Sequence, residues 1–279
     1  MNLKIPIEFI TPCFCRGADS SETGSPEIRP ASIRGQLHWW FRAVGGTPQD
    51  ESAVFGSVRG GAKASPLVAR VKYDGSNLKI AQLPTLPHKS GGPAAPKQAI
   101  VSGVKFELLI STRLGGLSPD LEKKFRRALD AWLHLGALGL RSTRGGGNFT
   151  WNDAPKTPGD YDTAVKNIIV GTKLNAALLD KSYQNAEDAR KDITNTLNDK
   201  AFGETAPLGR VLGGRKTSPL RFRVVKFADG SFRIAAVWDG RQNVTGNTAK
   251  DLREAISTLE KAGKSIGVQL AASRLCEGL

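Results

Sequence analysis

The stretch Glu27-Ile-Arg-Pro-Ala-Ser-Ile-Arg-Gly-Gln-Leu-His-Trp-Trp-Phe-Arg42 has the pattern of an amphipathic helix. Pro30 fixes the approach of the chain, and Ser32 is placed to cap the first turn by accepting bonds from unpaired backbone N–H groups. At 3.6 residues per turn, one apolar stripe should face a core. Its members are Ile33, Leu37, Trp40 and Val44.

A second, cationic stripe runs along the same predicted helix. Arg34, His38 and Arg42 recur at helical spacing on a flank next to the apolar stripe. Gly35 lies beside this flank, where the missing side chain would let another backbone come close. One helix is therefore predicted to serve both a core and a cationic surface.

The charge balance of the whole chain points to a polyanionic partner. The 279 residues include 40 Lys and Arg against 26 Asp and Glu, a formal net charge of +14. Lys and Arg side chains replace the counterions that phosphates hold, so nucleic acid is favoured. The alternative is a basic protein that its charge merely keeps soluble. The basic residues are concentrated in 206–241, which holds eight of them and only two acids.

The remaining composition predicts a cytoplasmic protein with no membrane partner. The three cysteines (Cys13, Cys15 and Cys276) do not make a disulfide framework and suit a reducing compartment. A Cys-x-Cys pair without a nearby histidine is a poor zinc site, so we expect neither a metal nor a cofactor. No apolar run approaches the roughly 20 residues that span a bilayer, and the first residues have no basic segment followed by an apolar stretch, so we expect no signal peptide.

The first half of the chain alternates strands and helices. Strands are predicted at 2–11, 66–73, 78–83, 101–112 and 148–151, and helices up to about 44, at 50–55 and at 118–136. Pro6 favours an edge strand, or one whose N–H is unpaired there. Asp74-Gly75 predicts a hairpin turn, and 84–99 a long surface loop. The order β-α-β-β-α-β is ferredoxin-like (RRM-like), with helices on one face of an antiparallel sheet.

The second half is predicted to be a less regular unit of the same kind. Residues 155–160 read as a joint, which divides the chain into domains 1–154 and 155–279. Helices are predicted near 161–180, 187–200 and 248–264, and strands at 220–227 and 231–238. The fold class is therefore α+β, with two ferredoxin-like domains of which the second is decorated.

Two loops combine glycines with cations. Arg141-Ser-Thr-Arg-Gly-Gly-Gly147 follows a predicted helix, and its glycines could expose consecutive N–H groups to phosphate oxygens beside Arg141 and Arg144. It lacks the spacing of a nucleotide P-loop, and the alternative is a mobile connection. Arg215 and Lys216 lie in a similar loop, 209–219. Two such loops favour binding of a phosphodiester backbone over one small phosphate ligand.

Aromatic and histidine side chains near these cations have two interpretations each. Trp39, Phe149 and Trp151 could stack on unpaired bases, although aromatic residues more often belong to the core. His38 could act as the general acid/base of RNA cleavage, because the pKa of histidine is near neutrality. It stands between arginines, with no second histidine or tyrosine beside it in sequence and no acid cluster for a two-metal site.

The segment from Glu27 to Arg42 resembles the signature of the RAMP superfamily of CRISPR proteins. More narrowly, it resembles the first-numbered subunit family of the Cmr (type III-B) effector complex. Further matches are Thr11-Pro12, Gly17-Ala18-Asp19, Val54-Phe55-Gly56-Ser57, the glycine-rich segment from Leu138 to Gly145, and Ser218-Pro219-Leu220.

This resemblance implies two ferredoxin-like domains and a non-catalytic subunit in antiviral defence. It implies contacts with guide CRISPR RNA near its 3′ end, with target RNA, or with both, and with backbone and end-cap RAMP subunits. The residues expected to bind RNA are Arg29, Arg34, Gly35, His38, Trp39, Arg42, Arg141, Ser142, Arg144, Arg215 and Lys216. Two alternatives stay open: a metal-independent RAMP endoribonuclease using His38, and a structural end-cap that barely touches RNA.

Overall fold

The structure is a computed structural model that describes residues 1–17, 24–58, 60–87, 96–113, 115–198 and 220–239. The first elements are β1 (Asn2–Phe9), α1 (Pro30–Ala43), α2 (Pro48–Phe55), β2 (Leu67–Lys72), β3 (Ile80–Leu83), β4 (Lys97–Ile100), β5 (Lys105–Thr112), α3 (Pro119–Leu135) and β6 (Phe149–Trp151). They are followed by α4 (Pro158–Ile169), β7 (Leu174–Leu178), α5 (Ala186–Asn198), β8 (Leu220–Lys226) and β9 (Phe232–Asp239). The predicted loop 209–219 and helix 248–264 lie outside the described residues.

All strand pairs within the sheets are antiparallel. The first sheet has the order β2-β5-β1-β6, the second has the order β7-β9-β8, and β3 and β4 form a separate ribbon. Apolar side chains of α1 and α3 share a core with the strands of the first sheet. The mixed α/β architecture with antiparallel sheets agrees with the predicted class. Across the described ranges, no helix is long and apolar enough to cross a membrane.

Helix α1 begins one turn earlier than the predicted capping residue. Arg29 is its N-cap and Pro30 its first residue, so the predicted capping role of Ser32 is wrong. Proline suits this position because its missing N–H is one of those that a helix leaves unpaired. The predicted apolar stripe is confirmed, since all four of its members are buried.

Pro6 lies beyond the part of β1 that pairs with β6, although β1 is an interior strand. Both backbone groups of Phe9 face the β5 side of β1. Phe9 N donates to Val104 O at 3.0 Å, and Gly103 N donates to Phe9 O at 2.7 Å. Backbone direction alternates along a strand, so the backbone of Pro6 faces the β6 side. Strand β6 pairs only with the last residues of β1, from Ile7 onward. The edge-strand interpretation is therefore wrong, and the alternative of an unpaired N–H position holds.

The predicted hairpin between the second and third strands is wrong. Strand β3 pairs with β4, which lies inside the predicted surface loop, and β5 starts only at Lys105. The segment after β1 holds β4 in place, because Cys13 and Ile100 exchange both backbone hydrogen bonds, at 2.9 and 3.0 Å. This partner is 87 residues away in sequence, so a local turn signal could not reveal it.

The predicted helix over 161–180 is a helix followed by a strand. Helix α4 ends at Ile169, and Gly171 adopts a φ of +70°, which a glycine reaches without strain. Leu174–Leu178 then pairs with β9. The predicted helix near 187–200 and the hairpin of 220–227 with 231–238 are confirmed as α5 and as β8 with β9. Because α4 shares the core of α3, the boundary at 154 stays a prediction.

Arg223 joins the second sheet to the first. Its side chain is 3% exposed, Nη1 donates to Gly136 O at 2.7 Å, and Nη2 donates to Phe149 O at 2.5 Å. The guanidinium lies 4.9 Å from the Phe149 ring centroid. Burial lowers the pKa of Arg223 to about 10. The sequence analysis counted this residue among the surface cations of 206–241, and the structure places it in the interior.

Replacing Arg223 should cost much of the stability. Arg223→Met keeps most of the volume but leaves two buried carbonyls without donors, so we expect a loss of about 2–4 kcal/mol in the free energy of unfolding. Urea unfolding followed by circular dichroism measures it. Arg126→Met removes an exposed arginine of α3 and serves as the control. Equal unfolding midpoints for the two variants would contradict the role of Arg223.

His134 should make the fold acid-sensitive. Its Nδ1–H donates to Asp130 O at 2.8 Å and its ring meets Trp151 edge-on at 4.8 Å. Burial, assisted by the charge of Arg223, lowers the pKa of His134 to about 4. Because the unfolded chain binds this proton near pH 6.5, stability is lost as pH falls from about 6.5 to 4, by up to about 3 kcal/mol. His134→Gln should flatten the profile in this window, and parallel profiles would contradict the assignment.

Candidate nucleic-acid interface

Arg34 is used inside the protein. Its Nη1 donates to Ser65 Oγ at 3.2 Å and to Leu67 O at 3.3 Å, and its Nη2 donates to Phe55 O. The guanidinium therefore holds the connection between α2 and β2. Burial, with the nearby charge of Arg113, lowers the pKa of Arg34. A role in RNA binding for this cation would have to coexist with these internal bonds.

His38 and Arg42 share one carboxylate of α2. His38 Nδ1 lies 2.7 Å from Glu51 Oε1, and Arg42 Nε lies 3.4 Å from the same oxygen. The His38 ring stacks on Phe55 with centroids 3.8 Å apart. The sequence analysis did not pair Glu51 with this stripe. It is a first-turn acid of α2, and only the packing of α2 on α1 reveals the partnership.

Trp39 lies on the opposite flank of α1, on the side that faces β8. The guanidinium carbon of Arg221 is 4.0 Å from the centroid of the Trp39 ring, and Trp40 meets the ring edge-on at 4.7 Å. One face of Trp39 is thus covered by a cation. Gly35 is exposed, and a Cβ built there meets no described atom within 4 Å. The predicted close approach of another backbone is not found in the described part of the chain.

The backbone of the glycine-rich loop is tied to the protein. The N–H groups of Arg144 and Gly146 donate to Arg141 O at 2.8 and 3.0 Å, that of Gly145 to Phe222 O at 3.3 Å, and that of Gly147 to Pro12 O at 2.8 Å. The predicted cradle of free N–H groups is therefore wrong for these four residues, and so is a loosely held connection. Close packing explains the last glycine, because a Cβ on Gly147 would lie 1.8 Å from Leu138 O.

The side chains of this loop nevertheless concentrate positive charge. Arg141 is exposed, and at φ +62° it is the one non-glycine residue with positive φ in the ranges described. Ser142 and Arg144 are half-buried. The pKa of Arg144 is lowered, mainly because the side chain is desolvated and to a smaller extent because the positive charge of Arg141 is nearby. Arg190 of α5 is 1% exposed, and its guanidinium lies 5.2 Å from the centroid of the Phe14 ring. Burial lowers the pKa of Arg190, and the charge of Arg141 contributes in the same direction.

Arg190 is a cation near the loop that was not predicted from the sequence. It falls on the apolar side of α5, one turn after Ala186 and next to Ala189 and Ile193, all of which are buried. A cation on an apolar stripe is the signal that could have found it. Its guanidinium donates to Thr85 O at 3.0 Å and pairs with Glu187 at 3.2 Å.

A cavity of about 430 Å³ joins the start of α1 to the glycine-rich loop. Arg29 and Ser32 line it from α1, and Gly139 and Leu140 line it from the loop. The other lining residues are Phe9, Cys13, Phe14, Cys15, Arg16, Glu27, Ile28 and Leu138. The structure thus brings Arg29 together with the loop, whereas Arg34 and His38 lie on the α2 side. Arg215 and Lys216 lie outside the described residues.

The open face of the first sheet is a poorer surface for a polyanion. It carries a larger cavity of about 890 Å³, but the charges there have both signs. Lys4 pairs with Glu107 at 2.8 Å and Lys105 with Glu8 at 3.6 Å. Among the residues that the structure describes, no three His, Cys, Asp or Glu side chains are grouped so as to hold a metal ion.

Comparison with known proteins finds CRISPR relatives. A 62-residue stretch is 42% identical to the CRISPR system Cmr subunit Cmr1-2 of Pyrococcus furiosus, covering 19% of this chain and 32% of that relative. The curated match thus spans about a third of the relative's length.

Solved structures share the fold over most of the chain. The apo crystal structure of Cmr1 from Pyrococcus furiosus has a TM-score of 0.61 at 18% identity, covering 90% of this chain and 92% of that one. A chain in a cryo-EM structure of the Type III-B Cmr-beta bound to cognate target RNA has a TM-score of 0.58 at 11% identity, covering 93% and 99%.

A family model matches the half of the chain that carries α1 and the glycine-rich loop. It is described as the RAMP superfamily, and the match runs over residues 6–150, slightly more than half of the sequence. Both segments that carried the resemblance, Glu27 to Arg42 and Leu138 to Gly145, fall within it. The chain belongs to the RAMP superfamily.

Proposed function

We propose that this chain is a non-catalytic RNA-binding subunit of a type III-B CRISPR-Cas (Cmr) ribonucleoprotein. It contacts guide CRISPR RNA near the 3′ end, target RNA, or both, and assembles with other Cmr subunits in the cytoplasm. Membership of the RAMP superfamily, the fold shared with Cmr1, and the net charge of +14 support this function.

One observation carries the proposal: the start of α1 and the glycine-rich loop meet at a single cavity beside several cations. Arg29 lines the cavity, and Arg141 follows its lining residue Leu140 directly in sequence. Arg144 and Arg190 add charge behind Arg141. Since the loop's N–H groups are occupied, its arginine side chains, not its backbone, would contact phosphates.

Two ferredoxin-like domains, 1–154 and 155–279, are part of the same proposal. If the β3-β4 ribbon is an insertion, β1, β2, β5 and β6 are the four strands of a β-α-β-β-α-β unit. The order β2-β5-β1-β6 then has the first strand of the unit between its third and fourth, as the ferredoxin-like fold requires. The second unit contributes three strands with α4 and α5. In this proposal the glycine-rich loop lies between the two units, and the RNA contacts that loop.

An endoribonuclease is the second candidate, and one contact favours it. Glu51 holds Nδ1 of His38 at 2.7 Å, and a carboxylate that orients a histidine is a common arrangement in acid–base catalysis. The His38 ring is also stacked on Phe55, which suits a structural role.

Incubation of the purified chain with CRISPR repeat RNA in a chelator tests the second candidate. We expect intact RNA, because His38 serves to join α1 to α2. Cleavage that disappears in His38→Gln would establish the enzyme and overturn the non-catalytic function.

The RNA-binding surface is tested by removing two cations. Arg29→Gln combined with Arg141→Gln should weaken binding of single-stranded RNA about tenfold. It should also reduce the slope of log K against log salt by about 1.4, since each lost phosphate contact contributes about 0.7. Fluorescence anisotropy at several salt concentrations measures both.

The matched control removes two exposed cations elsewhere, Arg126→Gln with Lys166→Gln. It should leave affinity and slope within twofold of the wild type. Equal losses in both double variants would indicate a general charge effect. Unchanged binding in the Arg29 and Arg141 variant would favour the structural end-cap.

A further inference from the structure

We propose that the cavity between the start of α1 and the glycine-rich loop receives one unstacked nucleobase of the bound RNA. The inference rests on the proposed RNA-binding function and names the chemical group recognised at that site. Phosphates would lie outside the cavity, on the neighbouring arginines.

The size and walls of the cavity fit a base. Its volume of about 430 Å³ lies in the range of small-molecule pockets. Cys13, Phe14, Ile28 and Leu138 supply buried apolar walls. Such walls suit the flat faces of a heterocycle, whereas they offer a phosphate no hydrogen-bond donors.

The charges around the cavity favour a base inside it over a phosphate. Glu27 contributes the one carboxylate among the described lining residues. A carboxylate repels a phosphate but accepts hydrogen bonds from the N–H groups on the edge of a base. Arg16 and Arg29 line the same cavity and are exposed, so they stand where the sugar–phosphate backbone would pass.

The rim of the cavity has an unusual dipeptide, Leu140-Arg141. Leu140 lines the cavity and is nonetheless 49% exposed. A base entering the cavity would cover this apolar side chain. Arg141 holds a φ of +62°, a left-handed conformation that is strained for an L-residue and that glycine would relieve. Strain retained beside an uncovered apolar side chain is typical of a ligand site.

The test compares a ligand that has bases with one that has only the ribose–phosphate backbone. The full chain is titrated with single-stranded RNA and with an abasic ribose–phosphate oligomer of the same length. Wild-type protein should bind the RNA about tenfold more tightly, the effect of one stacked base. Ser32→Phe fills the cavity from α1 without a change of charge, so it should abolish this preference and leave binding of the abasic oligomer unchanged.

Two further variants keep the result decisive. Ser182→Phe makes the same change at an exposed serine that does not line the cavity, and it should retain the preference. Leu140→Ala, at the exposed rim, should also reduce the preference. It takes the place of Ser32→Phe in the test if circular dichroism shows that Ser32→Phe does not fold.

The outcomes distinguish this inference from the function on which it rests. If neither oligomer binds the wild type, the RNA-binding function itself fails. If both bind with the expected salt dependence and the preference is equal in wild type, Ser32→Phe and Leu140→Ala, the base pocket is overturned while the RNA-binding function stands.

Discussion

A buried guanidinium that donates to two backbone carbonyls and lies against aromatic rings links the two sheets. Arg223 extends from β8 to the end of α3 at Gly136 and to β6 at Phe149, so one side chain spans the junction. The residues on either side of Arg223 form hydrogen bonds across the same junction. Val224 N donates to Asn148 Oδ1 at 3.0 Å, and Phe222 N donates to Thr143 O at 3.0 Å. The glycine-rich loop runs between these anchors. Its position relative to α1 therefore depends on the junction.

This constraint explains how a basic chain divides its cations. Arg34, Arg190 and Arg223 donate to backbone carbonyls and build the fold. Arg29 and Arg141 differ in being exposed, at or next to the cavity, although Arg29 Nη1 also donates to Gly17 O at 3.3 Å. A charge excess alone does not distinguish these classes, since both add to the net charge. Geometry distinguishes them, and it confines the proposed RNA contacts to the loop side of α1.

Local patterns predicted the elements whose signals are local. The apolar stripe from Ile33 to Val44 and the helix predicted at 118–136 follow from helical spacing, and the structure has both, the second as α3. Strand β4 was missed because it falls in a stretch rich in proline and glycine and is held by Cys13, which is 87 residues away in sequence. Strand β7 was missed because α4 ends before Gly171 and the strand pairs with the distant β9. Packing of the chain on itself also decided which predicted site residues are engaged internally. The glycines of 145–147 were predicted to form an open cradle, yet a Cβ there would meet backbone atoms at Gly146 and Gly147 and the Ile193 side chain at Gly145.

The central claim is that RNA lies along the loop side of α1 and at the cavity. Ultraviolet crosslinking of the full chain to single-stranded RNA, followed by mass spectrometry of the crosslinked peptides, tests it most directly. The account predicts crosslinks concentrated in residues 28–32 and 138–144. Crosslinks confined to the open face of the first sheet, around Lys4 and Lys105, would contradict it.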